Sequence, residues 1–290
     1  MAESFEAYRT YLFAIAYRML GSAMDAEDMV QETFLRFQAT PPETQERIVS
    51  LKAYLTTILT RLCVNQLKSA HRKREQYVGP WLPEPISTDR ATEAANPEER
   101  MELYESLSLA FLVLLQELQP IERAVFLLRD VFDYEYAEIA AFLGKSEAAC
   151  RQAFSRAKKH LADRRPRFTP SPETQREMLT SFLQAVQGGD MDGLMTMLAD
   201  DVTLWADSDG KVRGAATRPI VGRDAVARFS VGTLRFLPEG YTLEIAEING
   251  QPALVVRVGG RTFSVIAIEV AGQQIRAVRV VANPEKLRQV

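Results

Sequence analysis

The chain has 290 residues, enough for two or three domains that each bury a core, and its composition, 47% hydrophobic and 25% charged, is that of a globular protein. No apolar run approaches the ~18 residues of a membrane span, and Glu3 and Glu6 stand where a signal peptide would be basic, so a cytoplasmic protein is expected. The formal net charge of -3 gives no hint of a nucleic-acid partner, but the charge is unevenly spread along the chain.

Residues 1–75 read as helices. An apolar stretch from Tyr8 to Leu20 stops at Gly21, a second helix opens near Asp25, and a third begins at about Leu51. In the second, Val30, Phe34 and Phe37 recur at helical spacing, while Asp25, Glu27, Asp28 and Glu32 gather toward its N-terminal end, where acids suit the helix dipole. Spacing alone leaves these acids as either a solvated helix start or a partner surface, and favours the former. The third helix is expected to bury Leu51, Leu55, Ile58 and Leu62 before turning basic through Lys68, His71, Arg72, Lys73 and Arg74. Cations gathered at one helix end form a phosphate-contacting surface, because each displaces a condensed counterion.

A connector follows, "YVGPWLPEPISTD" from Tyr77 to Asp89. Its three prolines exclude helix and make a semi-rigid strand, yet it carries Trp81, one of two tryptophans in the chain.

After a polar stretch to about Arg100, helices resume. "LSLAFLVLLQEL" reads as a buried helix, Pro120 starts the next, and "VFLLRDVF" continues it to Asp133. In "YAEIAAFLGKSEAACRQAFSRAKKHL", Gly144 can end one helix in the left-handed conformation and Ser146 can cap the next, which is the helix-turn-helix signature. Cys150, Phe154, Ala157 and Leu161 mark the inward face. Gln152, Ser155, Arg156 and Lys159 then point outward, flanked by Arg151 and Lys158, a mixture able to read base edges and grip phosphates. Seven Arg or Lys lie between Arg151 and Arg167 against the single acid Asp163, and an ordinary exposed helix would mix its signs. Cys63 and Cys150 fall on apolar stripes, and His71 and His160 sit among cations, so no metal site and no cofactor is expected.

From Pro170 the pattern changes. "SPETQREMLTSFLQAVQGGDMDGLMTML" gives two helices, and another is expected around Asp224 to Phe236. Alternating runs "VTLWAD", "YTLEIAEI", "ALVVRV", "RTFSVIAIEV" and "IRAVRVV" read as strands, the last four joined by Asn249-Gly250, Gly259-Gly260 and Ala271-Gly272 into an antiparallel meander. Helices followed by a curved sheet imply an α+β domain.

These residues resemble a known family. "DAEDMVQETFLRF" with "LKAYLTTILTRLCVNQLKSAHRKRE" is similar to the second domain of bacterial extracytoplasmic-function sigma factors, "EIAAFLGKSEAACRQAFSRAKKHL" to their fourth domain, and residues 171–290 to a SnoaL-like domain of the nuclear-transport-factor-2-like fold. One subgroup carries a "WLPEP" linker, a "DGGGK" motif and a C-terminal "NPxKL". Here these stand as Trp81 to Pro85, as "DSDGK" from Asp207 to Lys211, and as "NPEKL" from Asn283 to Leu287.

The resemblance implies a multidomain chain: a sigma region 2 domain over 1–75, a linker over 76–100, a region 4 helix-turn-helix domain over 101–167, and a SnoaL-like α+β cone with a curved antiparallel sheet over 171–290. It implies that Asp28, Glu32 and Phe34 dock on core RNA polymerase. Arg61, Lys68, Arg72 and Arg74 would lie along the minus-ten element of promoter DNA, and the loop "QATPPETQERIVS" where a flipped base is held. Arg151, Gln152, Ser155, Arg156 and Lys159 would enter the major groove of the minus-thirty-five element. It further leads us to expect Trp81, Leu82 and Pro83 to pack near "DSDGK", with Asp207, Asp209, Lys211, Asn283 and Pro284 forming an interdomain regulatory contact in place of a separate anti-sigma protein. Ser208 and Asp209 replace glycines of that motif; Asp tolerates a left-handed turn better than Ser does.

Two other readings compete. The C-terminal fold often encloses a pocket, and Asp201, Asp207, Asp209, Trp205 and Tyr241 are candidates to line one, for a small-molecule ligand or for catalysis. No histidine follows His160 and no acid–base pair stands at meaningful spacing, so the chain is expected not to be an enzyme. The second reading is a helix-turn-helix regulator that binds DNA alone, which needs neither the acidic helix nor the basic helix before the connector.

Overall fold

A computed structural model describes residues 2–74, 77–88, 106–162 and 171–290, with side chains described from Phe5 onward and excluding those of 70–74. The chain forms two compact units, one of Met1–Glu75 with Leu112–Arg165 and one of Gln76–Phe111 with Pro166–Val290. No helix among the described residues is long and apolar enough to cross a membrane.

In the first unit, α1 (Ala2–Leu20) buries Leu12, Ile15, Ala16 and Met19 completely, and Gly21 ends it at φ 70°. Ser22 then caps α2 (Ala23–Gln38), its hydroxyl accepting from Asp25 N at 3.1 Å, and Ala23, Ala26, Val30, Thr33 and Phe37 turn inward. A short α3 (Pro42–Gln45) precedes α4 (Leu51–Arg74). The buried stripe of α4 runs through Leu55, Leu59, Leu62 and Cys63, whereas Leu51 and Ile58 are half-buried. The spacing predicted a narrower face; α4 meets α1 and α2 on one side and later helices of this unit on another, so its core contact is wider.

A helix α5 (Leu109–Leu115) is shorter than its apolar run, because Gln116 to Leu118 form tighter turns. Next, α6 (Pro120–Phe126) passes into a π-helical turn over Leu127–Val131, and Asp133 sits at φ 55°. The paired helices α7 (Tyr136–Leu143) and α8 (Glu147–Ala162) are joined as their residues dictate: Gly144 takes φ 61°, and Ser146 Oγ accepts from Ala149 N at 3.2 Å. In α8 the deepest residues are Cys150, Ala153, Ala157 and Leu161. Phe154 lies at the margin and stacks on Phe126 at 6.0 Å, so Ala153 takes the inward place the wheel gave to Phe154. Both cysteines are buried and free.

In the second unit, α9 (Pro172–Gly188), α10 (Met191–Met197) and α11 (Arg223–Thr233) cover one six-stranded sheet. Its strands are β1 (Leu198–Asp207), β2 (Ile220–Val221), β3 (Tyr241–Ile248), β4 (Gln251–Val258), β5 (Arg261–Ala271) and β6 (Gln274–Val281), in the order β2-β1-β6-β5-β4-β3. β3 to β6 form the antiparallel meander set by the Gly-containing turns. β1 instead lies parallel to β6, a pairing between distant segments that hydropathy alone leaves open. Register shifts in the β4–β5 and β5–β6 pairs curve the sheet around a core of Leu179, Phe182, Leu194, Val226 and Ile275. Each such side chain contributes about 1.5–3 kcal/mol by leaving water.

Candidate functional site

Three surfaces carry the polar residues singled out by sequence, two on the first unit and one on the second.

On α2, one stripe at helical spacing is solvent-facing: Met24, Asp28, Gln31 and Leu35. Leu35 and Met24 are 52% and 48% exposed, unusual for large apolar side chains between acids. Glu32 flanks the stripe and pairs with Arg36 at 2.7 Å. Phe34 turns away from it, half-buried with its ring 4.8 Å from that of Phe5. Leu35 was not singled out by sequence, where one exposed leucine reads as core. The loop at 38–50 is held by Gln45 Nε2, which donates to Thr40 O at 2.8 Å, and Val49 at its end is fully exposed.

The expected DNA-facing residues divide, among the described side chains, into exposed ones and ones held by other groups of the protein. Lys68 on α4 and Gln152, Ser155 and Lys159 on α8 are exposed. Arg151 is exposed but pairs with Glu147 at 2.6 Å, its guanidinium 5.1 Å from the Tyr136 ring. Arg156 donates through Nε to Glu122 Oε1 at 2.6 Å, and the Glu122 side chain is 7% exposed. Arg61 donates to Phe142 O at 2.7 Å and Ala141 O at 3.1 Å, neutralising carbonyls left open at the C-terminus of α7. The side chains of Arg72 and Arg74 lie outside the described residues.

Arg61 is thus part of a seam between α4 and the helix-turn-helix. Beside it, the Tyr11 and Tyr134 hydroxyls bond at 2.6 Å, Thr56 reaches Tyr134 at 3.3 Å, and Lys52 Nζ lies 4.2 Å from the Tyr11 ring. Burial, and then the bond to Tyr134, push the Tyr11 phenol well above its ordinary pKa.

On the second unit, the connector lies along the sheet and its ends. Leu82 N donates to Asp207 Oδ2 at 2.7 Å, and Leu82 O accepts from Lys286 Nζ at 2.6 Å. Lys286 also donates to Asp207 Oδ2 at 2.6 Å, while its ammonium sits 3.8 Å from the Trp81 ring centroid and 5.1 Å from that of Tyr77. Asp207 is completely buried; Tyr77 OH is its third donor, and its backbone carbonyl accepts from Ala282 N and Asn283 N. Asn283 Nδ2 donates to Tyr77 OH at 2.8 Å. Desolvation, then the bond to Asp207, raise the Tyr77 phenol above its ordinary 10.0.

Trp81, Leu82, Pro83, Asp207, Asp209, Lys211 and Asn283 thus occupy one neighbourhood. Asp209 adopts φ 49°, the left-handed turn its side chain tolerates, while Ser208 beside it is buried and does not. Lys211 bridges Asp209 and Glu285, both at 2.9 Å, which lowers the Asp209 pKa and raises its own. Pro284 starts a short turn, capped by Asn283, that presents Lys286. Of the pocket candidates Asp201, Asp207, Asp209, Trp205 and Tyr241, none lines the large apolar cavity found in this unit.

Sequence reasoning passed over Lys286, Tyr77 and Asn249. Lys286 lay inside a quoted motif, and a lone basic residue near a buried carboxylate motif was the available signal. Asn249 reads as a turn residue, which it is, at φ 53°. It also accepts from Ile86 N at 3.1 Å and donates to Leu107 O at 2.9 Å, so it holds one connector residue and one residue that lies beyond the segment 89–105. Thr88 N donates to Glu247 O, and Thr88 Oγ1 accepts from Gly250 N at 2.9 Å.

Comparison with known proteins matches residues 4–73 to the Sigma-70 region 2 family and residues 108–161 to Sigma-70, region 4. The chain is 35% identical to the ECF RNA polymerase sigma factor SigJ of Mycobacterium tuberculosis, over 97% of this chain and 91% of that protein. A crystal structure of the Mycobacterium tuberculosis extracytoplasmic function sigma factor SigJ superposes with a TM-score of 0.75 at 34% identity, covering 99% of this chain and 98% of that one. An NTF2-like protein from Burkholderia xenovorans covers 40% of this chain and 95% of its own, at 19% identity and a TM-score of 0.29.

Proposed function

The chain belongs to the extracytoplasmic-function RNA polymerase sigma factors, and from that premise we propose that its C-terminal SnoaL-like domain sets how far apart two promoter-reading modules can stand by holding the linker between them. As an alternative sigma factor, it serves core RNA polymerase and promoter DNA. The modules are residues 1–75 and 101–167, the linker 76–100 and the regulatory domain 171–290. Asp28 and Leu35, with Glu32 at their flank, form the polymerase-facing stripe, and Phe34 supports it from within. Lys68, Arg72 and Arg74 follow the minus-ten element. Gln152, Ser155 and Lys159 enter the minus-thirty-five major groove, with Arg151 and Arg156 gripping phosphate. The protein acts in the cytoplasm and carries no catalytic activity of its own.

The observation that supports the linker reading is the grip on Leu82, whose N–H and carbonyl are taken by buried Asp207 and Lys286. Scale supports it too. The two promoter elements lie about 25 base pairs apart, roughly 85 Å at 3.4 Å per pair. A compact unit of about 130 residues has a radius of gyration near 14 Å, so the modules must part to reach both elements at once. Parting breaks the Tyr11–Tyr134 bond and releases Arg61 to meet phosphate.

The test is reconstituted transcription with core polymerase, comparing the full chain with Trp81→Ala. Loss of the indole under Lys286 is expected to change promoter-dependent output several-fold in either direction with polymerase binding intact. Output equal to that of the unaltered chain rules out the linker reading.

A further inference from the structure

Beneath the curved sheet of the second unit lies a cavity of ≈ 130 Å³. Its wall is apolar, with Phe182, Leu204, Phe229, Leu254 and Val278 among its residues. Two of the hydroxyl groups in that wall are already spent on backbone, Ser230 donating to Val226 O at 2.8 Å and Thr233 to Ser230 O at 2.9 Å. Among the described residues, Arg213 is the one charged residue lining it. Among the described residues Arg213 has no carboxylate partner; its guanidinium stands 5.9 Å from the Phe236 ring, and that of Arg235 stands 4.8 Å from the same ring. Gly214, at φ 84°, lets the Arg213 loop close down on Phe236, since a Cβ there would come within 2.4 Å of Phe236 Cδ2. The rim is therefore a built contact between an aromatic ring and two cations, above a greasy chamber.

We propose that this cavity binds a small organic acid, its hydrocarbon body filling the chamber and its carboxylate meeting Arg213 at the rim. A cavity of this volume accommodates a body of about benzene size, for an engineered apolar cavity of about 150 Å³ takes benzene. An unpaired guanidinium selects a carboxylate by a charge-assisted bond that a neutral isostere cannot form. Occupancy has a path to the linker. Leu204 and Ala206 of β1 and Val280 of β6 line the chamber, while Asp207, next along β1, faces Leu82, and Ala282, also in the lining, donates to Asp207 O at 2.7 Å. That consequence alone rests on the function proposed above; the binding does not.

The experiment titrates the full-length protein calorimetrically, at constant ionic strength, with benzoate, cyclohexanecarboxylate and hexanoate and with the neutral analogues benzamide and cyclohexylmethanol. At least one acid is expected to bind tenfold or more tightly than its neutral analogue. Arg213→Gln, an exposed position, should bring that acid to the neutral level, and Ser264→Leu, which fills the chamber, should abolish both. Equal binding of acids and neutral analogues, undiminished acid binding by Arg213→Gln, or no binding by any of the five overturns the proposal. Binding that leaves transcription unchanged keeps the site and removes its link to the linker.

Discussion

Lys286 is 9% exposed and holds its charge between a buried carboxylate, a peptide carbonyl and an indole face. Removing one member of such a pair strands the other without water. Lys286→Met should therefore cost about 3–5 kcal/mol of unfolding free energy, read from the denaturant transition of the second unit. Asp207→Asn keeps an acceptor for Leu82 N and should cost less, and the double variant should lose less than the sum of the two. Additive losses would mean the two groups do not act as a pair. Tyr77 supplies a pH signature. Its folded pKa is raised, so the protonated phenol contributes stability that is full below the ordinary 10.0 and is lost as pH rises above it. Between about pH 8 and pH 10.5, the unaltered chain should lose more stability than Tyr77→Phe. Equal losses would place the Tyr77 hydroxyl outside the linker contact.

At the scale of elements, the helix-turn-helix was readable because Gly144 and Ser146 perform local tasks that any such turn requires, and the meander because its Gly-containing turns admit positive φ. Residues acting across long sequence distances were not readable. The resemblance gave Arg61 as a DNA-facing cation, and nothing local records that two carbonyls at Ala141 and Phe142 occupy it. The same holds for Arg156 and the buried Glu122, for Lys286 and Leu82, and for β1 beside β6. Asn249 separates turn from clamp experimentally. Asn249→Gly keeps the left-handed turn but deletes the bonds to Ile86 and Leu107. It should leave the β3–β4 hairpin intact while amide exchange at Ile86 and Thr88 rises at least tenfold; unchanged protection there would assign Asn249 to the turn alone.

For the whole molecule, the first unit buries together, in one core, helices of the two proposed promoter-reading modules. Tyr11 and Ala53 from its first part pack with Val125, Ile139 and Cys150 from its second. Its parting can be measured directly, because Cys63 and Cys150 are buried and leave introduced cysteines as the reactive ones. Spin labels at Thr10→Cys on α1 and Gln119→Cys before α6, both exposed, report the separation of the modules. The account predicts one short distance in the free protein, replaced by distances longer by tens of ångströms when core polymerase and promoter DNA are added. The same short distance in a complex that actively makes transcripts would contradict it.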